Sequence, residues 1–401
     1  MAATKTAVKG KAVALNGAGL VAQAMRQANP DVVAVYPITP QTLIVEAYSQ
    51  FVADGLVSTE LVHVESEHAA LSACIGAASA GARTHTATAG PGLALMWEVL
   101  YVASGMRLPI VMHMANRTFS APLNILCDHS DAMGSRDASW IQIFAENGQE
   151  AYDNALQAVR IAEHPDVLLP IMDCLDGYVL SHGTERAEVL PDDVAKEFVG
   201  TYKPRYSLLD LEHPATHGPN TLADFHFEIK YQQVHAMDVA LDVIQKVGAE
   251  YGRLTGRSYG LVEPYRLDDA EVALVVMGST AGTVKVAVDE LRAQGVKAGL
   301  LKVRCFRPFP GDAITQALAR VPVVGVMDRA ISFGGQGHPL YLEVVTSLFQ
   351  KGLRPSVVNF VFGIGGRDTS PGDVTNLYRE LLQVSPKGIQ GSPIRYYSVR
   401  G

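Results

Sequence analysis

Short runs of apolar residues alternate with helix-patterned stretches, and this alternation limits the possible folds more than any other feature. Runs 32–35, 61–64, 84–88, 109–114 and 167–172 read as strands, and 17–27, 42–54, 66–81, 93–104 and 151–164 as helices. Most of these strands are apolar throughout, so neither face suits water. A parallel sheet covered by helices on both sides satisfies that requirement. A second series begins near Glu271, with strands 272–277, 297–303 and 323–327 and helices 283–294 and 311–320. Gly295 is placed to cap the first of those helices. Between the two series, periodicity fades over 176–221, where Pro191, Pro204, Pro214 and Pro219 recur, and 224–251 reads as an amphipathic helix. A chain of 401 residues exceeds one ordinary core. The expected fold is α/β, with two doubly wound, mostly parallel-sheet domains. The first spans 1–220 and ends in an irregular excursion, 221–270 is a helical connection, and 271–401 is the second domain.

Composition narrows the function class. Apolar residues make up 48% and charged residues 18%, which suits a globular chain, and the net charge of −8 argues against nucleic acid as the main partner. Cys74, Cys127, Cys174 and Cys305 are widely spaced with no Cys-x-x-Cys pair. That spacing argues against zinc or iron–sulfur ligation within the chain and reads as buried, reduced thiols of a cytoplasmic protein. Residues 1–11 carry lysines but no apolar centre, unlike a secretory signal. No run reaches the roughly 18 apolar residues of a membrane helix.

Chemistry concentrates at strand ends. Tyr36-Pro37-Ile38-Thr39-Pro40-Gln41-Thr42 stops the first strand at two prolines, which fix the backbone and restrict the residues before them. Thr39 and Thr42 are thereby held at a strand's carboxyl end, where open α/β sheets bind ligands. Glu65 and Glu67 stand where the next strand becomes a helix, with Ser66 as N-cap. They either compensate the helix dipole or place one buried carboxylate against a ligand. Thr88-Ala89-Gly90-Pro91-Gly92 is a small-residue turn into a helix. It admits a ligand's polar group to backbone N–H donors, or it lets helix and strand pack closely.

Asn116-Arg117 lies just past another strand. An Arg there clamps a carboxylate through two parallel hydrogen bonds or forms a surface ion pair. Asp128-His129-Ser130-Asp131 fits an N-cap cluster, a loop-ordering network or a metal site, although no third ligand group stands at a telling spacing. Gly334-Gly335-Gln336-Gly337 and Gly363-Ile364-Gly365-Gly366-Arg367-Asp368 suit phosphate cradles or turns with positive φ, but neither leads into the Lys of a Walker A loop. Gly-x-Gly-x-x-Gly and Gly-x-Ser-x-Gly fingerprints are missing, which argues against an NAD-binding dehydrogenase and a serine hydrolase.

Four of these segments occur in a telling order: Tyr36 to Pro40, Glu65 to His68, Asn116-Arg117 and Asp128 to Asp131. Phe306-Arg307-Pro308-Phe309-Pro310 and the Gly363 to Asp368 run follow. Together they resemble the alpha subunit of the 2-oxoacid:ferredoxin oxidoreductases, the group that includes pyruvate:ferredoxin oxidoreductase. The resemblance covers nearly the whole chain. It implies a thiamine diphosphate (TPP) pyrimidine-binding-like domain followed by a transketolase C-terminal-like domain. It also implies TPP shared with a beta subunit that holds the diphosphate and Mg²⁺, and iron–sulfur clusters on gamma and delta or ferredoxin-like subunits. Coenzyme A is the implied co-substrate and ferredoxin the electron acceptor. This chain has no Gly-Asp-Gly motif with its following Asn for Mg²⁺, in keeping with a shared site.

Carried over residue by residue, the resemblance gives Glu67 the task of hydrogen-bonding the pyrimidine ring nitrogen, with Glu65 as the fallback. Thr39 stands near the substrate's carboxylate or keto oxygen, and Arg117 pairs with that carboxylate. Pro37, Ile38, Thr88 and Gly90 line the cofactor, and Asn116, Asp128, His129 and Asp131 order the substrate loop. The expected reaction is CoA-dependent oxidative decarboxylation of a 2-oxo acid, with pyruvate the first choice. One departure bears on that choice. The turn Thr88 to Gly92 differs from the Ser-rich form expected in pyruvate enzymes, and Phe119 and Leu123 leave room beside Arg117 for a larger side chain. A branched-chain or aryl 2-oxo acid such as phenylglyoxylate, with NAD as final acceptor, is the alternative. A stand-alone TPP enzyme would need the absent Mg²⁺ motif, and a non-catalytic scaffold would not need Thr39, Glu67 and Arg117 together.

Overall fold

The two series of apolar runs build two sheets in the computed structural model, which describes residues 7–400, and one short strand of the second series, Cys305–Arg307, crosses to edge the first sheet. In chain order the first series comprises β1 (Lys11–Asn16), α1 (Gly17–Ala28), β2 (Val32–Val35), α2 (Thr42–Ala53), β3 (Glu60–His63), α3 (Glu67–Ser79) and β4 (Thr84–Thr88). It continues through α4 (Gly90–Leu95), α5 (Trp97–Gly105), β5 (Val111–Asn116), α6 (Ser130–Gly134), β6 (Ile141–Phe144), α7 (Gly148–Ala162) and β7 (Ile171–Asp176). Next come β8 (Thr184–Val189), α8 (Asp192–Val199) and the long α9 (Leu222–Thr255). The second series comprises β9 (Val262–Tyr265), β10 (Val272–Val276), α10 (Thr280–Ala293), β11 (Ala298–Val303), β12 (Cys305–Arg307), α11 (Gly311–Leu318), β13 (Val323–Asp328), α12 (Pro339–Gln350), β14 (Ser356–Val361), α13 (Pro371–Leu381) and β15 (Ile394–Tyr396).

Among the described residues the first sheet has strand order β12-β6-β7-β5-β4-β2-β3, and the second β15-β14-β13-β10-β11-β9. All neighbours are parallel except β12 against β6 and β9 against β11. Every residue of β4, β5, β7, β10, β11 and β13 is buried, as their uninterrupted runs require. The fold is thus α/β with two doubly wound, mostly parallel sheets. In the first sheet the chain leaves β2 for β3 on one side and returns as β4 on the other. The crevice at such a reversal, beyond the strands' carboxyl ends, is where open sheets receive ligands.

Several expectations change in detail. The strand expected over 167–172 begins only at Ile171. Pro170 has no N–H for the ladder, and the carbonyl of Pro170 accepts from Ile141 N instead. The ladder then continues to Asp176, beyond the expected end at 172. The stretch 176–221, read as irregular throughout, holds β8, paired antiparallel with β1, and α8. Its Thr-Glu-Arg-Ala-Glu-Val sequence is polar because β8 has a single partner and a largely wet face. The helix expected over 93–104 starts at Gly90 and breaks at Met96 into α4 and α5. Ser66 caps α3 as expected, its Oγ accepting from Ala69 N.

The two sheets are joined by more than α9. One apolar cluster contains Leu93, Leu100 and Trp140 from the first unit and Leu301, Phe306 and Leu340 from the second. Lys302, 4% exposed, reaches Glu146 at 2.7 Å and Glu150 at 3.0 Å across the junction. Asp176, wholly buried at the end of β7, accepts from His129 Nε2 at 2.8 Å, Arg329 Nη1 at 2.9 Å, Ser279 N at 3.1 Å and the Ser279 hydroxyl at 2.5 Å. Burial alone would raise the Asp176 carboxyl, but the charges of His129 and Arg329 and the Ser279 hydroxyl outweigh it and hold it well below the usual range. Removing one member of such a group strands a buried charge, at a cost of about 3–5 kcal/mol. The variant Asp176→Ala is therefore expected to lower the urea midpoint by an amount equivalent to several kcal/mol. A midpoint within about 0.5 kcal/mol of the parent, the range of an indifferent surface change, would contradict this account.

Candidate active site

Four loops meet at the carboxyl ends of β2, β3, β4 and β5. After β2, the carbonyl of Ile38 accepts from Gln41 N at 2.8 Å, which tightens the two-proline turn into α2. The Gln41 side chain, fully buried, donates to the Ala87 carbonyl of β4 at 2.7 Å and so binds this turn to the neighbouring strand. Pro40 is buried beneath, while Pro37 and Thr39 face outward and Ile38 is half-buried.

After β3, helix α3 opens with Glu67, 6% exposed, whereas Glu65 is exposed. Among the described residues no donor satisfies the Glu67 carboxylate. Beside it, the buried Oγ1 of Thr88 also lacks a partner. Gly92, in the first turn of α4, explains why these groups stay open to a ligand. A Cβ at position 92 would lie 2.5 Å from Thr88 Oγ1 and 2.8 Å from Glu67 Oε1, so a side chain there would fill the space they face. A buried carboxylate and a buried hydroxyl, both unpartnered and bordering a glycine cradle, fit a ligand that donates to one and bonds the other. The aminopyrimidine of TPP offers such a set of ring nitrogen and amino groups.

After β5, Arg117 is 6% exposed and anchored at several atoms. Its Nε donates to the Asn124 carbonyl at 3.1 Å and its Nη1 to the Thr39 carbonyl at 2.9 Å. Nη2 has no acceptor among the described residues, which leaves one edge of the guanidinium for an anion. Gly90 makes the close approach possible. Its φ is +41°, and a Cβ would lie 3.2 Å from the Arg117 side chain.

Asp131 fastens these loops together. Its buried carboxylate accepts from Gly90 N at 3.1 Å, Arg117 N at 2.8 Å, Asn116 Nδ2 at 2.9 Å and Ala132 N at 2.7 Å. Burial pushes this carboxyl up to about 6, against the lowering effect of the bonds from Asn116, Arg117 and Ala132. Asp128 accepts from Ser130 N at 3.0 Å and from Gly365 N of the second unit at 3.1 Å. His129 points away from this crevice to Asp176. Cys127, His129 and Asp176 place possible ligand atoms within 4.8 Å of one another, but the Arg329 guanidinium already neutralises Asp176 there.

The structure thus brings Thr39, Glu67, Thr88, Gly90, Asn116, Arg117 and Asp131 to one crevice, places Asp128 at its second-unit edge, and turns His129 to the junction. Phe119 lines an adjoining cavity of about 750 Å³ between the two units, with Pro122, Met133, Ile331, Phe333 and Ile364. Leu123, expected beside it, does not line that cavity and is 78% exposed. Sequence reasoning missed Gln41, Asn124 and Asp176. Asp176 alone left a trace, as an acid closing an apolar strand.

Comparison with known proteins identifies the family. The thiamine-diphosphate-binding model of pyruvate flavodoxin/ferredoxin oxidoreductase matches residues 23–249, and pyruvate:ferredoxin oxidoreductase core domain II matches 270–374. Pyruvate synthase subunit PorA of Thermotoga maritima is 53% identical over 370 residues, covering 92% of this chain and 94% of that protein. PorA of Methanocaldococcus jannaschii is 46% identical over 369 residues, covering 92% and 94%, and ketoisovalerate oxidoreductase subunit VorA of Pyrococcus abyssi is 40% identical over 387 residues, covering 96% and 97%. Among solved structures, 2-oxoglutarate:ferredoxin oxidoreductase from Magnetococcus marinus superposes with a TM-score of 0.73 at 20% identity, covering 93% of this chain and 66% of that longer one. A split-gene transketolase superposes at 0.54 with 11% identity, covering 91% of this chain and 96% of that one, a likeness of fold alone. On the length and identity of these matches, the chain belongs to the 2-oxoacid:ferredoxin oxidoreductase family, in which its relatives are the PorA and VorA subunits.

Proposed function

We propose that this chain is the alpha subunit of a TPP-dependent enzyme that oxidatively decarboxylates a 2-oxo acid to acyl-CoA and CO₂ and passes the electrons to ferredoxin. Pyruvate is the first substrate to test. The observation that carries the reading is the Gly92 cradle, bordered by the nearly buried Glu67 and by the unpartnered Thr88 Oγ1, one loop away from the anchored Arg117. Bound TPP supplies the carbon nucleophile and the electron sink for loss of CO₂. A beta subunit is proposed to bring the diphosphate and Mg²⁺ half of that site, and further subunits the iron–sulfur clusters. Family membership and the missing Mg²⁺ motif support this division. The chain is proposed to divide at about 220 and 270, which is supported by the coil leading into α9 and by the strands that follow it.

Each residue's task follows from its setting. Glu67 is held at a helix start and is only 6% exposed, so its carboxylate is fixed where it can hydrogen-bond a ring nitrogen. Thr88 Oγ1 and the Gly92 backbone bound the space beside it. Arg117 presents its free guanidinium edge to the substrate carboxylate, which orients the 2-oxo group. That ion pair weakens as CO₂ leaves, so its contribution is to binding and orientation and not to lowering the barrier itself. Thr39 gives its carbonyl to Arg117 and turns its side chain to the open side, where the keto end of the substrate arrives. The neighbouring cavity leaves room for larger side chains, in keeping with the VorA relative. Turnover of the assembled complex with pyruvate, 2-oxoisovalerate, 2-oxoglutarate and phenylglyoxylate ranks them. Activity with none of the four would refute the reading.

Two further results are expected. Glu67→Gln keeps the shape of the side chain but loses the charge, and kcat should fall about 10²–10⁴-fold, the span of general acid–base assistance. Undiminished turnover would remove Glu67 from the mechanism. The second result concerns pH. The Asp131 carboxyl sits at about 6 against an ordinary 3.8, so its contribution to stability is complete below 3.8 and is lost as pH rises through about 6. Protonation therefore stabilises the fold but loosens the loops, because only the ionised carboxylate accepts all four of its bonds. The KM for the 2-oxo acid should therefore rise as pH falls through about 6, and Asp131→Asn should flatten that step. An unchanged step in the variant would assign it to another group.

A further inference from the structure

The Gly363 to Gly366 run belongs to the second unit, more than two hundred residues from Arg117 in sequence. It has no part in the roles above, yet its contacts lead back to Arg117. Gly363, Gly365 and Gly366 have φ of +63°, +64° and +79°, so the turn takes a left-handed path that other residues rarely follow. Gly365 bonds the substrate loop twice. Its carbonyl accepts from Asn124 Nδ2 at 2.9 Å, and its N–H donates to Asp128 Oδ2 at 3.1 Å. The fit leaves no space for side chains. A Cβ at 365 would lie 2.8 Å from Asn124 Nδ2, and one at 366 would lie 2.3 Å from Leu126 Cβ.

Within the loop, Asn124 Oδ1 accepts from Leu126 N at 2.7 Å, and the Asn124 carbonyl accepts from Arg117 Nε at 3.1 Å. On its far side the turn is tied to the junction, for Gly363 O accepts from Arg329 Nε at 3.3 Å and Arg329 also holds Asp176. These N–H and C=O groups face protein partners, so the run is not a phosphate cradle.

We propose that the Gly363 to Gly366 turn is a positioning element for Arg117, acting through Asn124. The guanidinium is aimed by two carbonyls, those of Thr39 and Asn124. The first belongs to the β2 turn, and the second is placed by the other unit. Asn124 and Gly365 are thus positioning residues for recognition of the substrate carboxylate. The proposal rests on the role given to Arg117 above.

The test is a double-mutant cycle in the assembled complex, with thermal midpoints recorded for every variant. Asn124→Asp keeps an oxygen for Leu126 N but presents another to the Gly365 carbonyl, which breaks the link. It should raise the KM for the 2-oxo acid about tenfold, the effect of one lost hydrogen bond to a charged group's anchor. The kcat and the KM for coenzyme A should stay within about twofold, a spread smaller than any coupled effect. Gly365→Ala, which pushes on Asn124 from the other side, should do the same and serves if the first variant does not fold. Arg117→Lys has no Nε. In that background either change should leave the KM for the 2-oxo acid where Arg117→Lys put it. Equal factors in both backgrounds would overturn the proposal, as would a uniform fall in kcat with every KM unchanged. If Arg117→Lys by itself leaves that KM at the parent value, the carboxylate role of Arg117 fails instead, and the two failures are told apart.

Discussion

A single buried carboxylate, Asp176, holds the molecule's two halves in register. It ends the interior strand β7 and has His129 from the loop after β5 on one side and Ser279 and Arg329 from the second unit on the other. A carboxylate this deep would be costly alone. Here it is matched by cations and donors drawn from both units, so its charge is satisfied only when they are docked. Gly278, at φ +69°, permits the approach, since a Cβ there would lie 2.8 Å from Asp176 Oδ1. The apolar cluster around Trp140 and Phe306 supplies area to the same junction, and the polar group supplies its alignment.

Around this junction the crevice is assembled largely from backbone. Asp131 collects N–H groups from Gly90, Arg117 and Ala132, and Arg117 rests on the carbonyls of Asn124 and Thr39. Side chains that meet a ligand are thus few, and main-chain groups locked by the sheet's carboxyl ends hold them. Such preorganisation suits the charged substrate proposed for this site. It also explains the concentration of glycines at 90, 92, 365 and 366, where a loop approaches another so closely that a Cβ has no place.

What could be read from the sequence was what is local. Ser66 as a cap, the two-proline stop after β2 and the apolar strands of both sheets depend on residues within a few positions of one another. Features decided by distant partners were invisible. Strand β8 is polar because it borders water, and only pairing with β1 makes it a strand. Pro170 shifts the start of β7 because ladder bonds, unlike hydrophobicity, need an N–H. Within the crevice, Glu67, Arg117 and Asp131 were found through their order along the chain. Asn124 was not, since its partner Gly365 lies 241 positions away. His129 was grouped with the substrate loop for the same reason: its neighbours in sequence face the crevice, whereas its ring turns to Asp176.

The way Thr39 meets Arg117 has a consequence for how such a chain can change over time. The bond that steadies the arginine comes from the main-chain carbonyl of Thr39, and the side chain stays outside it. The carbonyl's place is set by the prolines on either side and by Gln41, all of which survive a change of side chain at 39. On the proposed roles, recognition of the acid group and discrimination of the rest of the substrate are therefore separable at this position. A change of side chain at 39 can therefore alter the chemistry of the surface beside Arg117 while the guanidinium keeps its carbonyl partner.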